Sequence, residues 1–474
     1  EIFILRNMKT REPKILENVR ITEMSSEGKG IAKIDGKVYF VRGAVPEDVV
    51  DIRLKKSKSS YAEADVHQLI TPSLLRIAPT CEHFGTCGGC KWQHIGYSTQ
   101  LAYKTKIVED AFNRIGKLDV KNINPILGCD ESFFYRNKLE FGFTDRRWLT
   151  LEDLNSGEEF DRRGVGFHVP ESFSGVLDIQ KCWLQGGESN AIRNKVREFA
   201  IENDYSFFDL KNQGGFLRNL IIRTSSIGET MVLLSVTEDD KEKIKAIMQF
   251  ILQEFPSINS LQYLVNKKRN DTIYDQEPIV FHGKDHIIEQ LGRYQFKINP
   301  KSFFQTNTAQ AEKLYAVTKE YAQLTGSENV FDLYTGVGSI ALYVSDACKT
   351  VTGIEQIEAA IVDAKENARL NNVGNTTFYA GDVRMLLNQD FIAKHGKADV
   401  VITDPPRAGM HDDVVKTLLE LESKRIVYVS CNPATQARDL QLLSEKYTVS
   451  GIQPVDMFPQ TTHIENVVRL DIKA

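Results

Sequence analysis

From Asn329 onward the chain repeats one pattern, a short run of β-branched and aromatic residues, a polar or Gly turn, then a helical period. The runs are VFDLY, TVTGIE, DVVITD and RIVYVS. Strands of this composition, alternating with helices, predict a parallel, doubly wound α/β sheet covered on both faces. In such a sheet a ligand sits outside the carboxyl ends of the strands, so the residue that closes each run is a candidate for chemistry.

With 474 residues and a hydrophobic fraction of 42%, the chain predicts two or three domains rather than one. Between about Pro13 and Thr71, short alternating runs are split by Asp35-Gly36 and Gly43. They predict a small five-stranded barrel. Asp130 to about Lys297 mixes strand-like stretches (KLEFGF, LIIRTSS, MVLLSV) with amphipathic helices (AIRNKVREFAIEN, KEKIKAIMQFILQEF), the pattern of an α+β domain. No internal repeat or low-complexity tract interrupts this order.

No run of eighteen apolar residues is present, and Glu1 to Lys14 lacks the apolar segment of a secretory signal, so a soluble cytoplasmic protein is expected. The first residue is not Met; Met8 is a candidate native start, and Glu1 to Asn7 are given no function. Net charge is −5, so any nucleic-acid site must be local. Arg53, Lys55, Lys56 and Lys58 form one basic cluster, which reads equally well as a solvated loop.

The run Val330 to Leu333 enters a Gly turn, with Gly336 and Gly338, and then a helix at Ser339, a place where backbone N–H groups open to a ligand. The next strand ends in Glu355, suited to accept from two ribose hydroxyls. A third ends near Gly381-Asp382, where Asp382 can meet an adenine amino group. Dinucleotide dehydrogenases share this logic, but the turn here lacks the third Gly of G-x-G-x-x-G and carries Asp332 inside the strand, which fits a methyltransferase cofactor pocket better. The fourth strand ends in Asp404-Pro405-Pro406-Arg407, a rigid rim from which two N–H donors are missing. Amino-directed nucleic-acid methyltransferases place an aromatic after the prolines; Arg407 is not one.

The fifth strand runs into Ser430-Cys431-Asn432-Pro433. A lone Cys beside a strand is usually a small buried hydrophobe. Here the carboxyl end of the strand and the following helix start, whose positive end favours a thiolate, make Cys431 a candidate nucleophile. Carbon 5 of uracil becomes nucleophilic when a thiolate adds to carbon 6, and the carbon-5 proton must later leave. Glu465, in Thr462-His463-Ile464-Glu465, is the candidate general base, with His463 as a competitor.

Cys81-x5-Cys87-x2-Cys90 supplies three soft ligands, and Cys182 completes a four-thiolate set for either zinc or a four-iron cluster. The spacing differs from that of radical S-adenosylmethionine enzymes. Cys129 and Cys348 are scattered.

The ordered set FFQTN, FDLYTGVGS, DPPRAG, SCNPATQARD and THIENVVRL resembles the RNA uracil-5 methyltransferase family, and YRNKLEFGF and LRNLIIRTS extend the likeness through the middle of the chain. The resemblance implies S-adenosyl-L-methionine as cofactor, with Gln305, Tyr334, Glu355 and Asp404 lining the cofactor and base pocket, Cys431 as nucleophile and Glu465 as base; Gly336, Ser339 and Asp382 complete the expected cofactor set. Thr335 stands where the family usually has Cys, and Ser339 where Asn is frequent.

Ribosomal members are similar in carrying a TRAM-like barrel and a [4Fe-4S] cluster at this Cys spacing, whereas transfer-RNA members generally lack both. The resemblance thus implies a cluster on Cys81, Cys87, Cys90 and Cys182 with no redox part in methyl transfer. It also implies 23S rRNA as partner, a monomer, and no membrane or DNA. The domain reading is a barrel over 10–72, a central iron–sulfur and RNA-binding domain over 73–97 and 132–298, and a Rossmann-like methyltransferase domain over 98–131 and 299–474. The rivals are a transfer-RNA uracil-5 enzyme, an RNA cytosine-5 methyltransferase, which needs a second Cys where Arg407 stands, and a non-catalytic RNA-binding assembly factor.

Overall fold

The computed structural model describes residues 14–118, 123–157, 159–170, 172 and 175–474. Glu1 to Asn7, Met8 and the first four residues of the expected barrel, 10–13, lie outside the described residues. The chain divides into two compact units, one of 1–85, 90–103 and 460–462, the other of 86–89, 104–459 and 463–474.

In the first unit a single sheet runs in the order Ile15–Arg20, Val49–Ser57, Tyr61–Thr71, Lys37–Arg42, Gly30–Ile34, Glu23–Met24. It has six strands rather than the expected five, the extra one being the two-residue pairing of Glu23–Met24 with Ile31 and Gly30. Asp35 and Gly36 both have positive φ, 48° and 75°, so the two-residue turn between Gly30–Ile34 and Lys37–Arg42 has the twist a tight hairpin needs. Val19, Ile21, Val41, Val50 and Ile52 fill the interior.

The second unit holds two seven-stranded sheets. One runs Ile279–Gly283, Ser260–Val265, Thr230–Val236, Leu217–Thr224, Lys138–Thr144, Gly164–His168, Val176–Asp178. Helices Ser189–Glu202 and Lys241–Glu254 accompany it, and Phe199 stacks on Phe250 at 4.3 Å. A separate hairpin, Ile287–Leu291 with Tyr294–Ile298, follows.

The other sheet has the order Thr376–Ala380, Thr350–Glu355, Asn329–Leu333, Val400–Thr403, Arg425–Ser430, Glu465–Ile472, Tyr447–Val455. The first five strands are parallel, as the alternation predicted. The last two depart from it, because Glu465–Ile472 inserts antiparallel between Arg425–Ser430 and Tyr447–Val455. That reversal matters for the site, since only an antiparallel strand brings its first residue to the edge where the parallel strands end.

Both faces of this sheet are packed, with strict alternation. Val330, Val400, Ile402, Val427, Val429 and Val467 belong to the core on one face. Phe331, Leu333, Val401, Ile426, Tyr428 and Val468 belong to the core on the other. Continued along each strand with a period of two, the first face also receives positions 332, 404, 431 and 465. One acid in mid-strand and three reactive side chains at the strand ends thus share a face with the helix Thr308–Ala322, whose Leu314 and Tyr315 belong to the same core.

Candidate active site

The sheet reverses its winding between Asn329–Leu333 and Val400–Thr403, which places the switch point between them. Across it the amide of Asp404 donates to the carbonyl of Leu333 at 3.3 Å. The parallel pairing sets Leu333 beside Ile354 and Thr403, and Glu355 beside Ala380, so Tyr334, Glu355 and Asp404 form one row along the carboxyl edge.

The Gly turn is strained where it faces that row. Tyr334 has φ 64°, uncommon for a bulky residue, followed by Gly336 at 55° and Gly338 at 79°. A Cβ on Gly338 would approach Ala364, Leu342 and Phe378 at 3.1 Å, so that glycine lets the turn pack down. A Cβ on Gly336 would meet nothing within 4 Å. The backbone is closed below and open above.

Glu355 is held by two amides, Gly336 N to Oε2 at 3.2 Å and Ile357 N to Oε1 at 2.9 Å, leaving its outer lone pairs for a diol. Asp382 reaches the same edge, but its carboxylate caps the amide of Arg384 and pairs with that guanidinium, which holds its pKa below the usual range. Burial pushes the Tyr334 phenol up to about 12. The hydroxyls of Ser339 and Tyr315 lie 2.9 Å apart. The carbonyl of Gln305 accepts from Asn137 Nδ2 at 2.9 Å, which fixes the segment carrying Gln305.

Asn432 caps the helix Pro433–Leu443 through the amide of Ala434, and Pro433 takes the first helical position, where its missing N–H costs nothing. Cys431 is therefore pinned between a strand end and a helix start. Arg425 pairs with Asp471 and Ser430 with Asn466, so one further step sets Cys431 opposite Glu465. Directly opposed residues of an antiparallel pair have Cβ atoms about 4.5–5.5 Å apart on one face. Glu465 is only 5% exposed.

Electrostatics confirm the grouping. Burial, then Glu465 and Asp404, push the Cys431 thiol up to about 11, opposed by the Arg407 guanidinium. Burial and then Asp404 push Glu465 well above the usual carboxylate range. Burial and Asp332 push Asp404 up to about 7. Burial likewise raises Asp332, which is 0% exposed, to about 7, against the hydrogen bond from Thr335. Dehydration and the two acids therefore act against the thiolate that the helix start favours, and Arg407 acts for it.

Arg407 also donates to Nδ1 of His463 at 3.2 Å, and its carbonyl accepts from Asn432 and Thr435. Tyr315 and the pairing role of Arg407 had no signal in the sequence, since each depends on which face a helix or rim presents.

Three carboxyls and a thiol opposed by one guanidinium make a pocket suited to a cation. The buried Oδ1 of Asp332 has no hydrogen-bond partner among the described residues. With the open Gly336 and the doubly held Glu355, the residues fit S-adenosylmethionine, a sulfonium carrying a ribose diol.

The four cysteines Cys81, Cys87, Cys90 and Cys182 are all thiols rather than disulfides. Among the described residues, no group of three or more His, Cys, Asp or Glu side chains converges to hold a metal ion. Four thiols have the chemistry that zinc or a four-iron cluster takes.

This arrangement defines an S-adenosylmethionine-dependent methyltransferase, and comparison with known proteins narrows the class. Residues 276–473 match the tRNA (uracil-5-)-methyltransferase family, and residues 17–67 match the TRAM domain. An uncharacterized RNA methyltransferase of Bacteroides thetaiotaomicron is 54% identical over 454 residues, 95% of this chain and 100% of that protein. One from Chlorobaculum tepidum is 37% identical over 470 residues, 98% and 97% of the two chains. Among solved structures, the Pyrococcus abyssi tRNA (uracil-54, C5)-methyltransferase in complex with S-adenosyl-L-homocysteine is similar with a TM-score of 0.74 and 29% identity, covering 96% of this chain and 100% of that one. The chain belongs to the RNA (uracil-5-)-methyltransferase family, with an N-terminal TRAM domain.

Proposed function

We propose that the protein methylates carbon 5 of a uridine in 23S rRNA through a transient bond between Cys431 Sγ and carbon 6. The observation that carries this reading is the register that sets Cys431 opposite Glu465, on the face and at the edge where Asp404 and the Gly turn lie.

The charge of Arg407 favours the thiolate, which adds to carbon 6 and pushes the ring electrons toward carbon 5 and O4. Carbon 5 then takes the methyl group that S-adenosylmethionine supplies. Glu465 removes the carbon-5 proton, the carbon 5–carbon 6 double bond re-forms, and Cys431 leaves as thiolate. A raised pKa makes Glu465 a stronger base once ionised, and its burial keeps water from the proton it takes. Gln305, Tyr334, Gly336, Ser339, Glu355, Asp382 and Asp404 line the cofactor and base pocket in this reading. Asp382 must share its carboxylate with Arg384 to do so.

The test is covalent trapping. RNA carrying 5-fluorouridine, mixed with protein and S-adenosylmethionine, is expected to give a denaturation-stable adduct, because fluorine cannot leave as the proton does. No adduct on any 23S fragment or transfer RNA would overturn the mechanism.

A second substrate reading has one specific support. The Pyrococcus abyssi relative is a tRNA (uracil-54, C5)-methyltransferase and its likeness covers 96% of this chain, so the overall architecture does not by itself select ribosomal RNA. Mass spectrometry of 5-methyluridine in 23S rRNA and tRNA from a strain lacking the protein distinguishes the two. Cysteine spacing and the family resemblance support a four-iron cluster on Cys81, Cys87, Cys90 and Cys182. Burial raises the Cys182 thiol, and the amides of Leu184 and Gln185 with the charges of Arg193 and Arg136 act in the other direction, toward the thiolate a cluster needs. Anaerobic purification is expected to yield about four irons per chain; zinc alone would refute it. A cytoplasmic monomer is part of the same proposal, and no helix among the described residues is long and apolar enough to cross a membrane.

A further inference from the structure

Beside the catalytic edge, in the same unit, an open pocket of about 430 Å³ is walled by Phe134, Arg136, Asn137, Asn307, Asp130 and Glu131 among others. Its aromatic wall is unusual. Phe134 has φ 55° and is 47% exposed. A bulky side chain in the left-handed region is strained, and a large apolar ring in water gains nothing from folding. The backbone around it is nonetheless fixed, Phe134 N donating to Trp183 O and Arg136 N to Leu184 O, both at 2.8 Å.

The ring does not stand alone. It tilts against Trp183 with centroids 5.5 Å apart, Phe133 meets the same indole edge-on at 6.1 Å, and Lys181 Nζ sits 3.7 Å from the indole centre. Three aromatics and an ammonium thus cluster together, and Phe134 is the member that lines the pocket. In the pocket wall the Nε–H of Arg136 and the Oδ1 of Asn137 are buried without a hydrogen-bond partner among the described residues, one donor beside one acceptor.

The pocket also connects to the candidate active site. The Arg136 guanidinium lies over the Phe458 ring at 5.5 Å, Phe458 meets His463 edge-on at 6.3 Å, and His463 accepts from Arg407, whose charge acts on the nucleophile.

We propose that Phe134 and Trp183 form a stacking platform for an unpaired nucleobase of the RNA, next along the strand from the uridine at Cys431. The inference rests on the RNA substrate of the proposed function and adds a second base subsite to it. A base is favoured over a phosphate as occupant, because Asp130 is already paired with Lys313 at 3.0 Å and Glu131 would repel a phosphate, while an adjacent donor and acceptor match the edge of a base. Aromatic stacking is also how single-stranded RNA is held without dependence on sequence. Lys181 adds its charge where the backbone must pass.

The test uses full-length protein in a Cys431→Ala background, so that binding is read without turnover. The probe is a fluorescein-labelled single-stranded oligouridylate, compared with the same strand made of abasic nucleotides. Phe134→Ala is expected to weaken oligouridylate binding about ten-fold and to leave abasic-strand binding and the salt slope unchanged, since no phosphate contact is lost. Phe134→Tyr is expected to bind normally. Phe134→Gly, which relieves the strained φ, is expected to melt no lower than its parent yet bind as weakly as Phe134→Ala. A ring that is only structural would give the reverse, a lower melting temperature with unchanged binding. Equal losses on both strands, or none, overturn the proposal. Failure of the uridine reading shows separately, as absence of methyl transfer by the unaltered protein to any RNA while the Phe134 effect on binding persists.

Discussion

Two groups of buried acids in the second unit have opposite surroundings. Glu289, 2% exposed in the strand Ile287–Leu291, is surrounded by donors. Its Oε1 accepts from the amide and hydroxyl of Ser226 and the amide of Gln290, and its Oε2 from Thr308 and Asn137. Asn137 in turn holds the carbonyl of Gln305. At the catalytic edge Asp332, Asp404 and Glu465 instead face one another and the Cys431 thiol, with Arg407 as the opposing cation. A carboxylate whose lone pairs are filled by donors is a fastener. Carboxyls that repel one another are held ready to exchange protons. Burial alone distinguishes nothing; the partners do.

The largest effect that sharpens this contrast is at the sulfur. Cys431→Ala is expected to lower methyl transfer by at least about 10⁴-fold and abolish the 5-fluorouridine adduct, with the melting temperature nearly unchanged. A folded Cys431→Ala protein that still methylates would remove the reason for grouping the acids. Glu465→Gln comes next, with a loss of about 10²- to 10⁴-fold. Because adduct formation precedes proton removal, this variant is expected to accumulate methylated RNA still bound to protein, visible on denaturing gels. Free methylated product formed at the normal rate would assign the base elsewhere.

The fastener should respond differently. Glu289→Ala leaves the Ser226, Thr308 and Asn137 donors without their acceptor, and is expected to destabilise the fold by about 3 kcal/mol in urea unfolding. The freed Asn137 loosens its grip on the Gln305 segment, so KM for S-adenosylmethionine rises more than kcat falls. A stable Glu289→Ala protein with no turnover would mean that the two groups of acids are not different in kind.

Much of the catalytic edge was legible in the sequence because strand periodicity is a local property. The runs ending in Glu355, Asp404 and Cys431 announced both the parallel sheet and the edge where ligands bind. The antiparallel insertion of Glu465–Ile472 was not legible, since nothing within ENVVRLDI states which strand it joins. The sixth strand of the first sheet was missed because two residues carry no period. The setting of the thiol was legible only in part: a helix start can be read from Asn432-Pro433, but the acids that act against a thiolate arrive from strands 27 residues earlier and 34 later, across contacts that only the fold creates. The Glu289 node, assembled from Asn137, Ser226 and Thr308, is invisible for the same cause.

The smallest expected effect concerns pH, and its sign separates the two groups most directly. Asp332 and Asp404 stand at about 7 in the folded protein against an ordinary value of 3.8. A raised acid favours the fold while protonated, so its contribution is complete below about pH 4 and is lost as pH rises through 7. The protein without ligand is therefore expected to lose a few degrees of melting temperature between pH 5 and pH 8, and Asp404→Asn to lose less than its parent over that interval. A bound cation should reverse the slope, because the acids it neutralises are charged only at the upper end. S-adenosylmethionine should thus raise the melting temperature more at pH 8 than at pH 5, and S-adenosylhomocysteine, which lacks the sulfonium charge, should show less of that dependence. Equal stabilisation by the two ligands at both pH values would mean that the acids do not face the cation, and would leave Asp332 and Asp404 as fasteners of the same kind as Glu289.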